Sequence, residues 1–193
     1  VRYSPAGVLA PIQRSDLAFT MHMLYHLSET GTCAIVEFPG VLYRGGAEKK
    51  IREYLIKNNF VDTVIQLPAN LFFGVGIATC IIVIKKNKKD NNILFVDASE
   101  ECEKKGDKNK LEDENQNRIV NAYQERKEEQ YFTKLVSNDE VLSNGANLSV
   151  SSYVEKEDKR EVIDIVALNE EIEALSKDVR NRSVELDEMI KEL

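Results

Sequence analysis

The chain has 193 residues, a formal net charge of −7 and 42% hydrophobic residues, enough for one ordinary domain with a sizeable core plus an appendage. It has no run of eighteen apolar residues and no basic-then-apolar leader, so the sequence predicts a cytoplasmic protein with no membrane contact and reduced thiols at Cys33, Cys80 and Cys102. The acidic total argues against a simple nucleic-acid coat, but the first half is mildly basic. Arg44, Lys49, Lys50 and Arg52 flank a glycine turn and Lys85, Lys86, Lys88 and Lys89 form a second cluster, whereas acid dominates from Glu100 onward.

Residues 1–14, with Pro5 and Pro11, read as an irregular connection entered midway. Ser15 suits the cap of a helix to about Ser28, with Leu17, Met21, Leu24 and Tyr25 on one face and Phe19, Met23 and Leu27 widening it. His22 and His26 have metal-pair spacing without an acidic or cysteine partner, so packing is their predicted role and no metal is expected. Thr32 to Phe38 is an apolar run broken by Glu37, the pattern of a strand buried on both faces of a parallel sheet. A helix then opens at Gly45 and Gly46, presents Ile51, Tyr54 and Leu55, and ends at Asn58 or Asn59.

Val61–Leu67 and Thr79–Ile84 are predicted strands. The loop between them carries Phe72 and Phe73, with Pro68 blocking strand continuation and Gly74 and Gly76 allowing backbone angles closed to other residues. Its aromatics either cap the core or offer a stacking surface to an unstacked base. Helix, strand, helix, strand and a turn-linked strand make the second half of a doubly wound α/β domain, whose ligands lie beyond the carboxyl ends of its parallel strands. That places Arg44, Gly45 and Gly46 on one rim with the phenylalanines. The glycine pair fits either a tight turn or a phosphate oxygen, and Lys85 and Lys86 either a solvated hairpin end or phosphate contacts.

After a strand at Ile93–Asp97 the chain becomes a charged loop and then a helix with Leu111, Ile119 and Tyr123 as a sparse stripe; no chemistry is assigned to it. Ser137 or Asn138 caps a short helix followed by a loop through Gly145. In the tail, Ile165, Leu168, Ile172, Leu175, Val179, Arg182, Leu186, Met189 and Leu193 alternate spacings of three and four, a coiled-coil seam that either packs on its own domain or binds a partner helix. The predicted organisation is therefore 1–100 α/β half-domain, 101–160 charged loop and helical extension, and 161–193 coiled-coil-type helix.

The stretches VLYRGGAE, LPANLFFGVGIATCI and FVDAS resemble the carboxyl-terminal part of the modification subunit of type I restriction-modification enzymes, and the likeness extends over residues 1 to about 154. It implies the Rossmann-like fold of methyltransferases that use S-adenosylmethionine. It further implies transfer of a methyl group to the exocyclic amino group of a flipped adenine in DNA, with Phe72 first and Phe73 second as the stacking residue. The implied partners are DNA, a specificity subunit that engages the tail seam, a restriction subunit and a second modification subunit. The family's glycine-bearing cofactor motif and its Asn-Pro-Pro-aromatic motif do not occur here. The chain is accordingly expected to be a carboxyl-terminal fragment, inactive alone, with no catalytic residue and no bound cofactor. A non-catalytic interaction module acting through the tail is the alternative; an unrelated nucleotide-binding enzyme would need a cofactor fingerprint, which the sequence lacks.

Overall fold

The structure, a computed structural model, describes residues 2–157 and 165–191 and divides into two units, Val1–Lys156 and Glu157–Leu193. The first opens with helix α1 (Asp16–His26), whose Leu17, Thr20, Met21 and Leu24 recur on one side and are buried. Phe19 and Tyr25 are exposed, a correction to the predicted face: Phe19 lies across the helix from that stripe and Tyr25 at its margin. Strand β1 (Thr32–Glu37) follows. Cys33 and Glu37 face inward, and the Thr20 hydroxyl donates to Glu37 Oε1 at 2.7 Å, while burial pushes that carboxyl above its ordinary pKa. Thr32, Ala34 and Val36 are exposed, so β1 is not buried on both faces as its apolar run predicted.

A 3-10 turn, Pro39–Leu42, leads to α2 (Ala47–Lys57), and then come β2 (Val61–Gln66), β3 (Cys80–Lys85) and β4 (Asn92–Asp97). A small hairpin, β5 (Glu103–Lys105) and β6 (Lys108–Lys110), precedes α3 (Asp113–Glu125), β7 (Thr133–Ser137) and α4 (Asn138–Ser143). The main sheet has the order β1-β3-β2-β4-β7. Both β1 and β2 pair antiparallel with β3, and β2 pairs parallel with β4, so β1, β2 and β4 run the same way with β3 inserted between the first two. Segment 101–160 contributes β7 to this same sheet, antiparallel to β4.

Two apolar layers cover the sheet. The larger gathers α1, α2 and α4 over Val64, Ile82, Ile84 and Phe95. The smaller packs Ile119 of α3 and Phe132 on Ile65, Leu94 and Val96, which explains why the outer side chains of β1 stay bare: this layer is built over β2 and β4. Arg52 of α2, one of the basic residues that flank the glycine turn in sequence, is 1% exposed. Its Nε donates to the Ala146 carbonyl at 2.8 Å and its Nη1 to the Val41 carbonyl at 2.9 Å. Burial lowers its pKa to about 10, so it remains charged at neutral pH. The three cysteines are free thiols, and burial pushes Cys80 up to about 12.

The second unit contains α5 (Ile165–Lys191). Ile165, Leu168, Ile172, Leu175, Val179 and Met189 are between 44% and 70% exposed, and Arg182 pairs with Asp178 one turn earlier at 2.9 Å. Leu186 lies on the same helix, its side chain outside those described, and Leu193 lies outside the described residues. Among the described residues no helix is long and apolar enough to cross a membrane.

Candidate functional site

Register brings three strand ends together. Glu37 of β1 and Gln66 of β2 both align with Cys80, and Gln66 aligns with Asp97 of β4, so the loops after β1, β2 and β4 leave one rim. The loop after β2 is closed at its neck: Leu67 N–H donates to the Thr79 carbonyl at 2.9 Å, and the Gln66 side-chain amide donates to the same oxygen at 3.1 Å. Leu71 anchors it on the smaller apolar layer. At the tip, Val75 N–H donates to the Phe72 carbonyl at 3.2 Å and Gly74 adopts φ 74°. This is the arrangement of a type II turn, with glycine at the third position and Phe73 at the second.

That turn sets the aromatic presentation. Phe73 is 99% exposed and Phe72 43%, so neither is a buried core cap, and accessibility ranks Phe73 ahead of Phe72. Gly76, whose residue type allows an unusual backbone angle, does not adopt a positive φ; Asn70 adopts one, at 56°. The loop is further braced by the β5–β6 hairpin. Asn109 N–H donates to the Asn70 carbonyl at 3.1 Å, its side-chain amide to the Ala69 carbonyl at 2.8 Å, and Lys108 Nζ to the Phe72 carbonyl at 3.3 Å.

The turn leading into α2 stands on the same rim. Gly46 takes φ 67°, and the first amides of α2 receive no side-chain cap. Arg44 is already engaged: its guanidinium lies over the Phe38 ring at 4.9 Å and 3.5 Å from Glu48 Oε1. It also rests on Gly40, where a Cβ would meet it at 2.5 Å. Lys85 and Lys86 are elsewhere, because Lys85 aligns with Thr32 at the opposite end of β1. Lys85 Nζ lies 3.1 Å from the buried Asp62 carboxylate, and Lys86 lies 3.8 Å from Glu29. Arg44, Gly45 and Gly46 thus share the aromatic rim, whereas Lys85 stands at the other end of the sheet with Lys86 beside it in sequence. His22 and His26 pack edge to face with centroids 4.7 Å apart. No group of three metal-ligating side chains occurs among the described residues.

Residues 1–162 match the family model described as N-6 DNA Methylase. The chain belongs to the N-6 DNA methylase family. Within it, the chain is 44% identical, over 99% of its length, to the type I restriction enzyme MpnII methylase subunit of Mycoplasma pneumoniae, of which it covers 36%. It is 34% identical to the MjaVII methylase subunit of Methanocaldococcus jannaschii, with 95% of this chain and 32% of the relative covered. Among solved structures, the type I restriction-modification methyltransferase subunit of Streptococcus thermophilus superposes with a TM-score of 0.78 at 42% identity, over 80% of this chain and 33% of that one. The EcoKI M protein shares the fold at 19% identity and a TM-score of 0.60, over 87% of this chain and 44% of that one. This N-6 DNA methylase chain thus spans about a third of the length of the curated relatives that it matches over most of its own length.

Proposed function

We propose that the chain forms the target-base side of an adenine-specific DNA methyltransferase in a type I restriction-modification complex. The observation that carries this reading is the braced loop at the carboxyl rim, which holds Phe73 in water at the corner of a tight turn. An exposed phenylalanine face is costly to hydration unless something apolar and flat covers it, and an extruded adenine offers such a surface. Of the two residues, Phe73 is the primary stacking surface and Phe72 its flank. Arg44 and the uncapped amides after Gly46 stand on the same rim as donors for DNA phosphate.

Neither the glycine-bearing motif nor Asn-Pro-Pro-aromatic occurs in these 193 residues. On this reading, S-adenosylmethionine binding and methyl transfer are assigned to the full-length subunit rather than to these residues. Its DNA, its specificity and restriction subunits and a second modification subunit are the partners of that whole. The exposed seam of α5 suits the specificity subunit, which makes the tail an assembly element alongside the α/β half-domain.

In the full-length subunit, Phe73→Ala lowers single-turnover adenine methylation about 5- to 150-fold, the kinetic equivalent of about 1–3 kcal/mol of stacking. Its melting temperature stays unchanged, and Phe72→Ala has the smaller effect. Loss of activity that merely follows a loss of melting temperature in both variants would show that the rings serve packing alone.

A further inference from the structure

The β5–β6 hairpin stands apart from the rest of the first unit. Glu103, Lys104, Lys105 and Lys110 are exposed, and a two-stranded hairpin without an apolar face is marginal in water. Its anchor is polar, through the donors of Asn109 and Lys108 to the backbone of residues 69, 70 and 72. Hairpin and aromatic loop are consequently one braced body. Four of the seven residues 104–110 are lysines, in a chain whose total charge is negative. Glu112 binds Lys105 and Lys110, at 2.9 Å for the latter. Lys104 aligns with Asn109, on the hairpin side whose amide reaches the loop, and Lys108 contacts the Phe72 carbonyl directly.

We propose that this hairpin is a DNA-backbone finger, with the ammonium groups of Lys104 and Lys108 binding the phosphates that flank the extruded base. The inference rests on reading the adjoining loop as the base-stacking element. A flipped base carries its own phosphates outward with it, so cations within reach of the stacking surface meet negative charge there. The neighbouring Glu103 and Asp107 limit the finger's net charge, which suits local phosphate contact rather than general adhesion to nucleic acid. An acidic protein partner would use the same charges, and the readout separates the two.

The test uses the full-length subunit assembled with its specificity subunit, and a random-sequence fluorescent duplex titrated at several salt concentrations. Lys104→Ala/Lys108→Ala makes the dependence of log affinity on log salt shallower by about 2, because each lost phosphate contact removes about 0.9 from the slope. The double arginine variant retains the slope. Circular dichroism monitors folding, and should the double variant fail to fold, Lys104→Gln alone, which touches no anchor, lowers the slope by about 1. An unchanged slope in folded variants overturns the proposal, and unchanged DNA binding with lost subunit assembly reassigns the finger to a protein. Absence of adenine methylation by the wild-type complex sinks the base-stacking reading separately, since the slope measurement requires no turnover.

Discussion

Arg52→Ala destabilises the first unit by about 3–5 kcal/mol, a large fraction of what holds a domain of this size folded. The side chain reaches from α2 to two carbonyls far apart in sequence, Val41 and Ala146. Its removal strands both oxygens in the interior, each costing about 1–3 kcal/mol. It also opens a cavity and removes a positive charge acting on Glu48, which is 2% exposed and has Arg44 at 3.5 Å. Arg52→Met fills much of the volume without satisfying the carbonyls and falls between wild type and alanine. Urea denaturation followed by circular dichroism measures both; an alanine unfolding free energy within about 0.5 kcal/mol of wild type, the range of inconsequential surface changes, would show that the guanidinium is dispensable.

Aspartate at Ile172 and Val179 together abolishes assembly of the full-length subunit with its specificity subunit, while the first unit stays folded. Both side chains are more than half exposed on α5, so the change leaves the core of residues 2–157 intact. In a helical pair each apolar seam residue contributes about 1.5–3 kcal/mol when buried, and burying an unpaired carboxylate instead adds a further penalty. Glu171, Glu173 and Asp178, beside the seam, favour a basic partner helix. Co-purification with tagged specificity subunit reads the outcome, with circular dichroism as the folding control. Undiminished assembly of the double variant would remove α5 from the interface.

Much of this architecture was legible because its signals are local. Pro68, Gly74 and the paired phenylalanines mark a shaped loop between two β-branched runs, and the structure places that loop between β2 and β3 with Phe73 at a turn corner. The amphipathic pattern of Ala47–Lys57 and the cap at Ser137, whose hydroxyl accepts from Glu140 N–H, were equally readable. What escaped the sequence depends on distant partners. Thr133–Ser137 has too few apolar residues to announce a strand, and becomes one by pairing with β4. The lysine hairpin carries no apolar alternation and exists through hydrogen bonds to a loop some forty positions earlier. Arg52 looks like one more surface cation until the two carbonyls that close around it are in view. The bare face of β1 likewise depends on which helices lie over which strands, a property that a six-residue apolar run does not encode.

Photochemical cross-linking tests directly whether the aromatic loop receives the target base. A duplex carrying 5-iodouracil in place of the target adenine, bound by the full-length complex and irradiated, places the photoreactive carbon against whichever side chain the extruded base stacks upon. An adduct is expected at Phe73, or at its neighbour Phe72, in the tryptic peptide 58–85, and it is lost when both residues are alanine. An adduct that forms efficiently elsewhere, and persists in the double alanine variant, would contradict it.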